Sequence, residues 1–231
     1  MTNNQKLLQP NRSIAEETRD SHKAMADLWQ GISTFQDINN IVTVYGSARF
    51  KEGHVYYELA RNMGKALAEN GFTVMTGGGP GVMEAANRGA KEGEGVSLGC
   101  NIKLPFEQAL NVYVDKQVEF DFFFTRKVIL RKNSIAYVLM PGGFGTMDEI
   151  FEVLTLIQTG KLPKRPIVCM GTDYWIGLRE FLRGTMLKIG TISPEDLDLW
   201  FVTDDATDGV NYIKNNLAAD TTGSVTETDE F

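Results

Sequence analysis

Two pairs of charged residues and the glycines around them carry the chemistry this sequence could perform. Asp148-Glu149 closes the stretch Pro141-Gly142-Gly143-Phe144-Gly145-Thr146-Met147, and Arg126-Lys127 lies a little upstream. Gly142, Gly143 and Gly145 let the backbone turn sharply and come close to a ligand, because a residue without Cβ is sterically permissive. The apolar run at 135–140 before the stretch reads as a strand, and the run at 150–154 after it as the body of a helix. The first N–H groups and the positive dipole end of that helix then face the loop, which suits a phosphate or another anion. Asp148 and Glu149 are expected in the same first turn, so the stretch reads as an anion cradle with acids beside it. Such a site suggests chemistry on a phosphorylated substrate without saying which.

Each of these residues also has a plain structural reading. Thr146-Met147-Asp148-Glu149 fits a capping box in which Glu149 only bonds back to the Thr146 amide, and spacing leaves cap and catalyst equally open. Asp148 reads as electrostatic, favourable to the helix dipole. Arg126-Lys127 follows Phe122-Phe123-Phe124 and puts cations at a helix start, where the dipole disfavours them. An anionic ligand nearby would offset that, and a solvated basic face is the alternative. Arg49 has the same two readings, while Ser47, after Gly46, is either a helix N-cap or a donor to phosphate. With only His22 and His54, far apart and reading as surface positions, neither a histidine metal site nor a triad is expected. No metal and no cofactor is therefore expected. Cys100 and Cys169 sit in or beside apolar runs and read as buried, reduced thiols.

The elements that must position these groups alternate in type. Residues 1–12 are polar and expected to be flexible. A helix is expected from Ser13, because Ser13-Ile14-Ala15-Glu16 fits a capping box and Ala24, Met25, Leu28 and Trp29 recur at helical spacing. Lying outside the pattern that follows, it would cover a sheet edge or a partner subunit. Strands are then expected at 41–45, 72–76, 96–102, 118–121, 135–140, 166–170 and 199–202. Helices are expected at 56–70, 82–91, 124–132, 174–189 and 206–217, with another from the opening loop to about 159 and a short one from Ser193. Leu104-Pro105-Phe106-Glu107 opens a polar loop, and residues 218–231 form an acidic, threonine-rich tail expected to be disordered. Apolar strands alternating with helices imply an α/β fold, a doubly wound Rossmann-like parallel sheet in a single domain over 13–217 with an extra N-terminal helix.

Such a sheet binds ligands beyond the carboxyl ends of its strands. Gly46, the run Gly77-Gly78-Gly79-Pro80-Gly81 and the run from Gly142 to Gly145 each directly follow a strand, so all three converge on that edge. That convergence argues for one nucleotide-sized site. None of the loops reads G-x-G-x-x-G with an acid about twenty residues on, and Gly81 is not followed by Lys-Ser or Lys-Thr, so neither a dinucleotide fold nor a Walker loop is indicated. At 231 residues with 42% hydrophobic content the chain can bury a sizeable core, and its net charge of -7 argues against general affinity for nucleic acid or anionic membrane. No apolar stretch approaches the length of a bilayer span, and a cytoplasmic location is expected.

Together, Gly77-Gly78-Gly79-Pro80-Gly81-Val82-Met83-Glu84-Ala85-Ala86-Asn87, Arg126-Lys127 and Pro141 through Glu149 resemble the LOG family, the cytokinin riboside 5'-monophosphate phosphoribohydrolases, often labelled lysine decarboxylases. The resemblance spans about residues 40–205. It implies a Rossmann-like fold, a dimer or higher homo-oligomer, and hydrolysis of a nucleoside 5'-monophosphate to free base and ribose 5-phosphate. It places the two essential residues on Arg126 and Glu149. The substrate-binding set falls on Gly46, Ser47, Gly77, Gly78, Gly79, Gly81, Glu84, Lys127, Gly142, Gly143, Gly145, Thr146 and Asp148. Plant-type members carry M-H-E-R-K where this chain has Phe123-Phe124-Thr125 before Arg126-Lys127, which with the N-terminal helix resembles a longer bacterial subgroup. AMP or another purine monophosphate is then an alternative to N6-prenylated adenine as the base carrier. Two other classes remain: a molybdenum-cofactor carrier using the same loops without hydrolysis, and a pyridoxal-phosphate decarboxylase, for which no lysine here has a recognisable Schiff-base context.

Overall fold

The computed structural model describes residues 2–104 and 110–222. Most of the loop expected after Leu104 and the last part of the acidic tail lie outside these residues. Among the described residues seven strands form one sheet: β1 (Ile41–Tyr45), β2 (Thr73–Thr76), β3 (Ser97–Ile102), β4 (Lys116–Phe120), β5 (Ser134–Leu139), β6 (Ile167–Met170) and β7 (Phe201–Thr203). Their order is β4-β3-β2-β1-β5-β6-β7, and every neighbouring pair is parallel. The direction of winding reverses between β1 and β5, which pair at the centre. In an open parallel sheet the crevice for a ligand lies at that reversal, beyond the strand ends.

The helices are α1 (Asn3–Leu7), α2 (Ile14–Phe35), α3 (Val55–Glu69), α4 (Val82–Glu92), α5 (Phe123–Lys132), α6 (Phe144–Gln158), α7 (Thr172–Phe181) and α8 (Ala206–Thr222). Alternation along the strands divides the core between two faces. Ile41, Tyr45, Met75, Tyr137, Leu139 and Cys169 point to the side covered by α2, α5, α6 and α7, where they meet Phe35, Ile129, Ile150 and Trp175. Val42, Val44, Val74, Ala136, Val138 and Val168 point to the side covered by α3, α4 and α8, against Met63, Ala86 and Ile213. The doubly wound sheet expected from the alternating pattern is present.

Several local expectations are corrected. Residues 3–7, where no element was expected, form the short helix α1, capped by Thr2 through a capping box with Gln5. Helix α2 starts after Ser13 with the expected capping box and lies against the edge strand β4. Its buried stripe is Asp20, Ala24, Asp27, Gly31 and Phe35, whereas Met25 and Trp29 are 63% and 69% exposed. Two acids occupy the inward face, so hydrophobic spacing misjudged its orientation. The helix expected at 174–189 divides into α7 and a wider π-helical turn at Leu182–Leu187. Helix α8 runs on to Thr222, into the segment expected to be disordered.

Candidate active site

Three loops meet at the winding reversal and are tied to one another by backbone bonds. The Ser47 amide after β1 donates to the Pro141 carbonyl after β5 at 3.1 Å, and the Val82 amide after β2 donates to the Ser47 carbonyl at 2.9 Å. Gly81 closes the junction with φ +71, and a Cβ on it would meet the Ser47 carbonyl oxygen at 2.5 Å. Gly46 is packed against Val82 and Met140. The Ser47 hydroxyl is not a helix cap. It accepts from the Arg49 amide at 3.1 Å, while His54 caps α3 through Nδ1.

The loop after β2 is held by a buried polar network. Thr76 Oγ1 accepts from the Gly78 amide at 2.9 Å and donates to Asn87 Oδ1 at 2.6 Å. Asn87 Nδ2 donates to Ser97 Oγ and to the Leu98 carbonyl, and Asn111 Nδ2 donates to Asn87 Oδ1 and to the Gly79 carbonyl, both at 3.0 Å. Asn87 is fully buried. A satisfied network of this kind rigidifies the glycines it surrounds.

Arg126 lies across this loop. Its side chain is 10% exposed, its Nε donates to the Cys100 carbonyl at 2.7 Å, and its Nη1 donates to Glu149 Oε1 at 3.3 Å. Its Nη2 fills the space a Cβ on Gly77 would need, which is the physical reason for glycine at that position. Glu149 is 14% exposed. Burial pushes its carboxyl up from 4.5 to about 7; Arg126 and Lys127 pull it back down, while Asp148 and Glu152 add to the rise. Within the apolar floor beneath the pair, Tyr45 is also driven upward, first by burial and then by the charge on Glu149.

The capping reading of Glu149 is excluded. Helix α6 begins at Phe144 with Gly143 as its cap residue, so Thr146 lies inside the first turn and Asp148 and Glu149 in the second. Glu149 therefore bonds to Arg126 rather than to the Thr146 amide. Gly142 leaves room for the Thr146 side chain, and its carbonyl accepts from Tyr174 Oη at 2.5 Å. Gly143 and Gly145 are exposed, with open space where their Cβ atoms would stand, so a ligand can approach the backbone there.

Of the other expected site residues, Lys127 and Asp148 pair next to this centre, whereas Glu84 is engaged on the opposite face of the sheet. Lys127 Nζ lies 2.8 Å from Asp148 Oδ2 and 2.6 Å from Glu152 Oε2. Burial works against its charge, but these two bonds outweigh it and raise its pKa. Glu84 accepts from Tyr57 Oη at 2.9 Å on the seam between α3 and α4. Burial pushes Cys100 to about 12 and Cys169 well above the ordinary thiol value, so neither is a ready nucleophile. Among the described residues no group of three or more His, Cys, Asp or Glu is arranged to hold a metal ion. Sequence reasoning assigned no role to Thr76, Asn87, Asn111 or Tyr174. Of these only Asn87 left a trace, as a polar residue one turn after Met83 among alanines.

Comparison with known proteins places the chain in a family. The model of the family described as "possible lysine decarboxylase" matches residues 83–213. The cytokinin riboside 5'-monophosphate phosphoribohydrolase of Mycobacterium tuberculosis is 31% identical over 155 residues, 66% of this chain and 82% of that protein. The enzyme of the same name from Rhodococcoides fascians is 29% identical, over 66% and 78% of the two chains. Among solved structures, the molybdenum cofactor carrier protein of Chlamydomonas reinhardtii superposes with a TM-score of 0.58 and 28% identity, covering 78% of this chain and 99% of that one. With a family match across more than half its length, Arg126 and Glu149 inside that match, and phosphoribohydrolase relatives over two thirds of it, the chain belongs to the LOG family.

Proposed function

We propose that the chain hydrolyses the N-glycosidic bond of a purine nucleoside 5'-monophosphate, releasing the base and ribose 5-phosphate. The observation that carries this reading is the Arg126–Glu149 pair, a buried carboxyl near neutrality bonded to a fixed guanidinium at the mouth of three glycine loops. Cleavage develops positive charge on the sugar carbon, and an ionised Glu149 stabilises that oxocarbenium character and orients the attacking water. Water adds hydroxide to the sugar carbon, and its proton balances the departing base nitrogen. Arg126 holds the phosphate or polarises the base. The open backbone at Gly143 and Gly145, at the start of α6, receives the 5'-phosphate. Binding energy from that unreactive phosphate is available to orient the reacting bond, so nucleosides without it react poorly.

Two relatives named as phosphoribohydrolases support the reading. The likeness to a molybdenum cofactor carrier favours a second one, in which the loops bind a phosphorylated ligand without cleaving it. A lysine decarboxylase is disfavoured by Lys127, whose charge two carboxylates stabilise, the reverse of what an imine-forming lysine needs. The exposed Phe123 and Phe124 of α5 and Phe144 and Phe151 of α6 support assembly into a homo-oligomer. The two buried thiols fit a cytoplasmic setting. The deciding experiment incubates the protein with AMP, GMP, IMP and N6-prenylated AMP and follows free base by chromatography. Base release from one or more is expected; release from none rejects hydrolysis in favour of the carrier.

A further inference from the structure

Helix α5 carries Arg126 and Lys127, yet the residue at its cap position is Phe122, whose side chain has no acceptor for the first amides. The first helical amide, Phe123, donates to Asn4 Oδ1 of α1 at 3.4 Å, and the two residues before it are held by another distant element. Asp27, in the middle of α2 and only 7% exposed, accepts through Oδ2 from the Asp121 amide at 2.8 Å, the Phe122 amide at 3.1 Å and the Thr125 hydroxyl at 2.9 Å. One turn further along α2, Gly31 lets the two helices touch, since a Cβ there would lie 2.5 Å from Ile129 Cγ1. A carboxylate in a buried helix face is unfavourable unless it is bonded and charge-compensated. Here it sits at the positive end of α5, where it offsets the misplaced cations that follow. The next turn then sets Arg126: its amide bonds to the Phe122 carbonyl at 3.2 Å and its side chain reaches Cys100 and Glu149.

We infer that Asp27 is a positioning residue of the site: by bracing the start of α5 from α2, through the Asp121 and Phe122 amides and the Thr125 hydroxyl, it fixes the Arg126 guanidinium against Glu149. The N-terminal helix is then part of the active-site apparatus as well as a cover for the sheet edge. Only the kinetic side of this inference rests on the proposed hydrolysis. Glu149 is faced by Arg126 and Lys127 from α5, by Asp148 and Glu152 from α6 and by Tyr45 from β1. Of these, Arg126 does most to favour its ionised form. Loosening Arg126 must raise the pH at which Glu149 ionises.

The test compares the full chain with Asp27→Ala and Asp27→Asn. Carbon NMR of carboxyl-labelled glutamate, with the Glu149 signal assigned by Glu149→Gln, reads the titration without turnover, and base release gives kcat. In Asp27→Ala the Glu149 midpoint is expected above that of the parent chain, with kcat down about 10- to 100-fold, as for a group displaced by roughly 1 Å. Asp27→Asn, which still offers an oxygen to both amides, is expected to recover most of each effect. A midpoint unchanged in folded Asp27→Ala overturns the inference even if its melting temperature drops, because a purely structural aspartate would lower stability alone. Should Asp27→Ala not fold, Thr125→Val removes one of the three bonds at similar shape, and an unmoved midpoint there overturns it equally. If the parent chain releases no base, the hydrolytic reading fails and the titration still decides the role of Asp27.

Discussion

Replacing Glu149 with glutamine separates the chemistry of the site from its stability, because the two effects have opposite sign. The side chain is 14% exposed and its carboxyl titrates at about 7 instead of 4.5. At ~1.36 kcal/mol for each tenfold change in proton affinity, keeping this group ionised in the folded chain is unfavourable by up to about 3 kcal/mol relative to the unfolded chain. Between those two pH values the native state binds more protons than the unfolded state, so this contribution to stability falls as pH rises and is lost above about 7. Glutamine has the shape of the protonated acid and no charge to desolvate. Glu149→Gln is therefore expected to melt close to the parent at pH 5 and above it at pH 8. The gain is smaller than the 3 kcal/mol ceiling because Arg126 loses its counter-charge. Base release should meanwhile fall by about 10²- to 10³-fold, the usual scale for removing one electrostatic stabiliser of a transition state. Thermal melts across pH 5–9 and chromatographic rates at pH 8 measure both. Equal melting differences at both ends of the range would refute the burial argument, and near-native turnover would refute the chemical one.

For the parent enzyme, kcat/KM should rise through about pH 7 as Glu149 of the free enzyme ionises; a kcat/KM flat from pH 5 to 9 contradicts a carboxylate as the active form. Gly77→Ala places a methyl where Arg126 Nη2 now lies, so the guanidinium must retreat by roughly 1 Å to regain contact distance. A loss of about 10²-fold in kcat/KM with the fold retained is expected, and steady-state kinetics within threefold of the parent would show that Arg126 needs no fixed position. Asn87→Ala breaks a fully buried node with partners in Thr76, Ser97, Leu98 and Asn111. Urea denaturation should show a loss of about 3 kcal/mol or more, and calorimetry should show weakened nucleotide binding from the loosened Gly78–Gly79 backbone. Arg126→Ala should impair both binding and turnover, and unchanged steady-state constants would remove it from the site.

The amino-acid order determined much of this protein, because the signals involved are local. β-branched and apolar runs of strand length, most of them followed by a helical period and three of them leading into the glycine loops, require a parallel sheet with its loops at one edge. That alone brought Gly46, Gly77–Gly81 and Gly142–Gly145 together before any coordinates. The capping box at Ser13 likewise gave the start of α2. The same local logic misplaced the start of α6. Thr146 and Glu149 have capping-box spacing, but the bond between Ser47 and Pro141 and the packing of Gly142 on Thr146 let the helix begin earlier, at Phe144. Which way α2 faces was also beyond hydrophobic spacing, since its inward residues include Asp20, paired with Arg12 and Lys23, and Asp27, whose partners lie nearly 100 positions away. What the tertiary structure alone decided is the meaning of the charged residues. A glutamate is a cap or a catalyst according to what lies across from it, and the guanidinium opposite Glu149 arrives from a helix 23 positions earlier in the sequence. Its alignment depends in turn on an aspartate nearly 100 positions before it. Burial, which gives Glu149 its near-neutral titration, exists only once the sheet and its helices have closed around it.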